Sequence, residues 1–197
     1  MQCSGDGYFI LPYTISDYLA DEIRSPKTDI KHPEFDQAEK EVKERINRLM
    51  SVNGTQTASS FHKRLGKILW DHCGMFRTAE GLKKGRVLLD QLEEEFWKEI
   101  KIPGDANELN QELEKALKVA DFFEVGRLMM EDALDRNESC GAHFREEYQT
   151  EQGEAKRDDA NYAYVAAWEY QGHAQKPLLH MEPLKFEFVE LKERSYK

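Results

Sequence analysis

Six histidines, three cysteines and 38 acidic residues are enough for metal or nucleophilic chemistry, so their spacing is the first thing to test. A di-iron carboxylate centre in a helical bundle needs Glu-x-x-His on two helices, so that both ligands project from one face. The residues three before His62, His72 and His143 are Ser59, Leu69 and Cys140, which excludes that motif at these histidines. Cys140-Gly141-Ala142-His143 has a C-x-x-H spacing, but a tetrahedral zinc site needs a second pair and none follows at a usable distance. His72-Cys73 lies on an apolar stripe, where a packed core pair is the simpler reading than an activated thiol. Gly5-Asp6-Gly7 opens like a dinucleotide fingerprint, yet position 10 is isoleucine and no strand precedes it. There is no P-loop, no nucleophile elbow and no H-E-x-x-H. By motif alone the predicted catalytic, cofactor-binding and metal-ligating sets are empty.

One stretch differs in kind. Arg136-Asn137-Glu138-Ser139-Cys140-Gly141-Ala142-His143-Phe144-Arg145-Glu146-Glu147 packs two arginines, three glutamates and a histidine into twelve residues, and Arg157-Asp158-Asp159 follows shortly after. Bidentate arginine–carboxylate pairing needs this mixture and fixes geometry when partly buried. Arg136, Glu138, His143, Arg145, Arg157, Asp158 and Asp159 are therefore the candidate structural residues. A salt-bridged lead-out from a helix and a docking strand onto another domain both fit this pattern.

The elements that position them read as mainly α. Leu11, Ile15, Tyr18, Leu19 and Ile23 recur at helical spacing behind Pro12, which suits a first helical turn. This helix begins almost at the first residue with no strand to pack on, and so reads as the cut edge of a larger domain. Phe35, Ala38, Val42, Ile46, Leu49 and Met50 form the next stripe, with Asn53-Gly54 expected to stop it in a left-handed turn. Phe61, Leu65, Ile68, Leu69, His72, Cys73 and Phe76 form another. Thr78 caps a helix carrying Leu82, Leu89, Leu92, Phe96 and Ile100. The longest runs from about Asn107 to Asp135, through Leu109, Leu113, Ala116, Leu117, Ala120, Phe123 and Leu134. Short connections make these an antiparallel up-and-down bundle, spectrin-repeat-like. Residues 161–170 and the alternating 184–191 read as strands, giving a small C-terminal β-containing tail. The expected division is 1–33 as terminal helix and linker, 34–135 as helical bundle, and 136–197 as charged docking segment and tail.

With 197 residues and a formal charge of −10, the chain can bury a core but has no cationic surplus for phosphates, which argues against nucleic acid. Its longest apolar run, Tyr8 to Ile15, cannot span a bilayer. Three cysteines in no paired spacing read as free thiols in a reducing compartment, hence a cytoplasmic setting.

Arg136-x-Glu138-Ser139-x-Gly141-Ala142-His143-x-Arg145, followed by Arg157-Asp158-Asp159-x-Asn161, resembles the pattern R-x-E-S-R-G-A-H-x-R … R-D-D-x-N. That pattern belongs to the C-terminal region of the succinate dehydrogenase/fumarate reductase flavoprotein family. Gly74-Met75-Phe76-Arg77-Thr78-Ala79-Glu80-Gly81-Leu82 looks like its G-x-x-R-T-x-E-x-L helix junction. Asp6 to Ile15 is similar to the segment that follows the last flavin contacts in one bacterial branch. The three matches occur in the family's order, and Cys140 departs from the arginine usual there.

The resemblance implies a parent that interconverts succinate and fumarate on FAD and passes electrons to an iron–sulfur subunit and a quinone-reactive membrane anchor. The parent would lie peripherally on the cytoplasmic face of the inner membrane. It further implies that the flavin fingerprint, the flavin-linking histidine and the capping domain lie outside these residues. The chain alone would then hold no cofactor and be inactive. Its partners would be the FAD-binding and capping domains, with residues 8–23 able to self-associate. An L-aspartate oxidase parent and a free-standing helical interaction module are the alternatives.

Overall fold

A computed structural model describes residues 2–173, 175–189 and 192. It divides into two compact units, 1–43 and 44–197. In the first, α1 (Gln2–Gly5) runs into a π-helical turn over Asp6–Ile10, then α2 (Leu11–Tyr18) and a 3-10 turn over Ala20–Arg24. Pro12 stands in the first turn of α2, where its missing N–H costs nothing. The stripe expected to find a partner is bare: Leu11, Ile15, Tyr18, Leu19 and Ile23 are all exposed.

The helix α3 (Pro33–Ser51) buries its apolar stripe only at its far end, where Leu49 is fully buried and Ile46 and Met50 flank it. Phe35 and Val42, expected on the same buried stripe, are exposed. Gly54 does not form the expected left-handed stop, since its φ is not positive. It is there because a Cβ would sit 2.1 Å from the Glu99 carbonyl oxygen. The backbone bridges Asn53 to Lys101 and Gln56 to Ile100 bring the chain that close.

The bundle itself is α4 (Ala58–Cys73), α5 (Ala79–Glu99) and α6 (Gln111–Asp135). Each starts on a side-chain cap, which satisfies one of the N–H groups a helix end leaves orphaned. Thr57 accepts from the Ser60 N–H at 3.2 Å, Thr78 from Gly81 at 2.9 Å, and Asn110 from Leu113 at 3.0 Å. Asn110 rather than Asn107 begins α6, because its amide also ties down the Pro103 carbonyl at 2.9 Å. Leu109 therefore falls before the helix and is 93% exposed, not in the stripe. Phe61, Leu65, Leu82, Leu89, Phe96, Phe123 and Met130 interdigitate as one core, with Phe96 edge-on to both Phe61 and Phe123. Phe76 leaves the α4 stripe and is exposed.

Between α4 and α5 lies β1 (Phe76–Arg77), which pairs in parallel with β2 (Phe144–Arg145) beyond α6, and the short α7 (Asp159–Tyr162) follows. The antiparallel pair β3 (Tyr164–Glu169) and β4 (Leu178–Pro183) completes the tail. The strand expected over 184–191 is displaced: its described part, 184–189, is not a strand, and 190–191 lie outside the described residues. The partner of β3 begins earlier, at Leu178, which places Trp168 opposite Leu179 and Ala166 opposite Met181 on one face. Trp168 is then anchored by its indole N–H, which donates to Asp132 at 2.7 Å.

Candidate functional site

Two distant stretches meet at the ends of the long helices. The ladder of β1 and β2 sets Phe76 beside Phe144 and Arg77 beside Arg145. Within it the Glu146 N–H donates to the Arg77 carbonyl at 2.9 Å. The junction 74–82 and the charged stretch 136–147 are thus one structure, a clasp.

Arg145 is its anchor. The last carbonyls of a helix have no partner inside the helix. Arg145 is 2% exposed, and its Nη1 donates to the Ala133 carbonyl of α6 at 2.9 Å and more weakly to Leu134 at 3.4 Å. Its Nε donates to Glu147 at 3.1 Å. The other Glu147 oxygen accepts the Ala79 N–H at 2.5 Å, at the first residue of α5. A cation therefore closes one helix C-terminus and a carboxylate the neighbouring N-terminus, each at the end its charge suits. Burial opposes the Glu147 charge, but the Ala79 N–H and Arg145 outweigh it and hold the carboxyl below its ordinary range. Ser139, fully buried, both accepts from the Arg145 N–H at 2.9 Å and donates to the Arg145 carbonyl at 3.1 Å.

Arg136 and Glu138 form a second link. Arg136 Nε donates to Glu138 at 2.8 Å, and its Nη2 to the Tyr162 carbonyl at 2.6 Å. The remaining Glu138 oxygen accepts the Asp158 N–H at 2.8 Å. Burial disfavours the Arg136 charge, but Glu138 more than compensates and the guanidinium stays firmly protonated. His143 sits between the two links: Nδ1 is 2.9 Å from Arg77 Nη1, and Nε2 is 3.0 Å from the Arg136 carbonyl. Cys140 and His143 exchange backbone hydrogen bonds at 2.8 and 3.1 Å, closing a turn in which Gly141 takes φ +60. That left-handed backbone favours glycine.

Of the residues predicted from sequence, Arg136, Glu138, His143 and Arg145 come together here. Asp158 joins only through its backbone N–H, and its carboxylate caps α7. Arg157 and Asp159 form their own pair at 2.6 Å. Sequence reasoning missed Ser139, Glu147 and Arg77 as working parts, although all three lie in or beside the motifs. It also missed a buried charge cluster in the bundle. Arg127 contacts Glu93 at 2.5 Å and Asp90 and Glu124 each at 3.0 Å. The only available signal was i, i+3 spacing of these charges on two helices, which is also that of a solvated face.

Cys73 is buried, and burial pushes its thiol up, away from nucleophile chemistry. No group of three His, Cys, Asp or Glu among the described residues could hold a metal. A cavity of about 310 Å³ between α6 and β3 has an apolar floor of Val125, Leu128 and Trp168. Its arginines are already committed, Arg86 to Glu131 and Arg127 as above. The arrangement as a whole can hold polypeptide segments in place.

Residues 62–196 match the family described as fumarate reductase flavoprotein C-term. The fumarate reductase flavoprotein subunit of Serratia sp. is 30% identical over 128 residues, covering 65% of this chain and 21% of that protein. The corresponding subunit of Escherichia coli is 28% identical over 121 residues, 61% of this chain and 19% of that one. The succinate dehydrogenase flavoprotein subunit of Coxiella burnetii is 25% identical over 158 residues, 80% of this chain and 26% of that one. The chain thus spans about a fifth to a quarter of the length of the curated relatives it matches. An E. coli quinol fumarate reductase structure superposes with a TM-score of 0.70 at 22% identity, over 86% of this chain and 28% of that one. The adenylylsulfate reductase of Archaeoglobus fulgidus reaches 0.63 at 15%, over 91% and 28%. At such identities these likenesses establish the fold. The match over residues 62–196 shows that the chain belongs to the succinate dehydrogenase/fumarate reductase flavoprotein family, as its C-terminal part.

Proposed function

We propose that the chain serves as the helical and C-terminal portion of a flavoprotein subunit that interconverts succinate and fumarate, and that its clasp docks this portion onto the FAD-binding and capping domains of the same subunit. The observation that carries the docking reading is the clasp's composition. Buried Arg145, Glu138 and Ser139 are spent on backbone and helix ends, while Met75 and Phe76 beside them are 76% and 64% exposed. A rigid polar frame next to uncovered apolar side chains suits a surface made for contact. Arg157, Asp158 and Asp159 belong to the same segment and stiffen its exit toward β3. The exposed apolar residues of 8–23 favour a second contact, with the sheet of the FAD-binding domain.

The Gly5-Asp6-Gly7 stretch does not fit the pyrophosphate of a flavin. Gly5 lies inside a helical run with φ −60, and the π-helical turn follows at once. A pyrophosphate cradle instead needs a glycine turn between a strand and a helix, with N–H groups free to point at the anion. FAD belongs on this reading to the rest of the subunit, and with it the dicarboxylate chemistry. Electrons would pass onward through an iron–sulfur subunit to a quinone-reactive membrane anchor. No helix among the described residues is long and apolar enough to cross a membrane, in keeping with a peripheral flavoprotein subunit.

The test is Arg136→Ala in a full-length subunit. Leaving Glu138 buried and unpaired costs about 3–5 kcal/mol. The yield of folded, flavin-loaded subunit should fall sharply, with KM for the dicarboxylate unchanged in what survives. Normal yield with a selectively raised KM would overturn the docking role.

A further inference from the structure

His143 holds one protonation state by geometry. The Arg77 guanidinium can only donate, so His143 Nδ1 must be bare to meet it at 2.9 Å. The Arg136 carbonyl can only accept, so the proton sits on Nε2 and donates across 3.0 Å. The ring is therefore neutral, in the Nε2–H tautomer. The charged groups around it are cations: Arg77 of β1, Arg136 at the end of α6, and Arg145 of β2. The two carboxylates of the cluster are occupied elsewhere, Glu138 by Arg136 and the Asp158 N–H, Glu147 by Arg145 and the Ala79 N–H. Arg77 is itself tethered, its Nε donating to the Gly74 carbonyl at 2.8 Å, so it cannot swing away without loosening the junction.

We propose that His143 is a proton-operated latch: a proton taken from solvent at Nδ1 sets donor against donor at Arg77, expels one of the two, and opens the β1–β2 ladder while the bundle stays folded. The hinge is the Cys140–His143 turn, whose reciprocal backbone bonds link the ring's position to β2. The Arg145 anchor has no titrating partner near neutrality and limits the opening to the clasp. Burial first, and then the three guanidiniums, hold the His143 pKa below its ordinary value, against the opposing pull of the Arg136 carbonyl. The sign follows. With the closed-state pKa depressed, the open state binds more protons, so the latch is fully closed above about pH 6.5 and loosens as the pH falls toward the closed-state pKa. The latch rests on contacts within this chain and stands whether or not the clasp docks on another domain.

Nitrogen-detected NMR of the His143 ring, with amide hydrogen exchange on the whole chain, tests this. The expected result is the Nε2–H tautomer at neutral pH and a His143 titration below about 6.5. After correction for intrinsic exchange, the opening constant read at the Glu146 and Cys140 amides should rise about tenfold per pH unit across that window. The Phe96 amide in the bundle should not respond. His143→Gln should abolish the acid dependence of Glu146. Should that variant fail to fold, Arg77→Gln serves instead: it should move the His143 titration up toward 6.5 and flatten the slope. An Nδ1–H tautomer, a titration at or above 6.5 in the unaltered chain, or unchanged Glu146 protection through the titration would each overturn the latch.

Discussion

The bundle and the clasp each bury an arginine, but they bind it in opposite ways. In the bundle, Arg127 faces side chains: Asp90 and Glu93 from α5 and Glu124 from its own helix. In the clasp, Arg145 faces backbone: the last carbonyls of α6, with Glu147 as its only carboxylate partner among the described residues. A carboxylate can be deleted together with its arginine, whereas a carbonyl cannot be deleted at all. The bundle's cluster is thus an inclusion in a core that already packs without it, and the clasp's arginine is part of the frame.

The largest expected effect is Arg145→Met. It removes a side chain 2% exposed, leaving the Ala133 carbonyl without its donor and the partly exposed Glu147 without its cation, and should cost about 3–5 kcal/mol. Urea denaturation followed by helical circular dichroism reads it, and a loss below about 1 kcal/mol would remove the distinction between the two regions. The paired replacements sharpen it. Arg127→Leu with Glu93→Leu should stay within about 1 kcal/mol of the parent chain or exceed it, because buried ion pairs seldom outperform apolar packing. Arg145→Met with Glu147→Met should still lose about 1–3 kcal/mol, since the α6 carbonyl and the Ala79 N–H remain orphaned. Equal costs for the two doubles would contradict the comparison.

The caps give a finer test. Thr57→Ala and Thr78→Ala should each cost about 1 kcal/mol. Only Thr78→Ala should also speed exchange at Glu146, because Glu147 is bound at the same helix start. The smallest effect is expected at Arg64, paired with Glu95 at 2.6 and 2.5 Å across α4 and α5 but with both side chains well exposed. Arg64→Ala should change stability by less than about 1 kcal/mol, and added salt should erase the difference.

How much of this could be read from residues alone varies along the chain. The helices of the bundle were legible because a 3.6-residue apolar period reports burial directly, as with Leu82, Leu89 and Phe96. Thr78 was legible as a cap because its short hydroxyl suits the orphan N–H three residues on. The strand after β3 was misplaced because alternation at 184–191 is a local pattern, whereas pairing depends on which residues reach Tyr164–Glu169. Phe76 and Leu109 were misread for a related reason: each continues a helical period past the point where a strand or a cap takes over.

The sequence by itself determined the class of fold, the resemblance to the family and four of the residues that hold the clasp, Arg136, Glu138, His143 and Arg145. Periodicity, capping and motif order are properties of neighbouring positions, and those survive in one dimension. The tertiary structure alone decided which charge meets which. Arg77 and His143 are 66 positions apart and touch only because β1 and β2 align. Glu147 reaches the Ala79 N–H, and Arg145 the Ala133 carbonyl, only because α5 starts beside the place where α6 ends. Backbone groups at helix ends are invisible in a sequence, since every residue carries them. They become partners only once packing has chosen which ends come together.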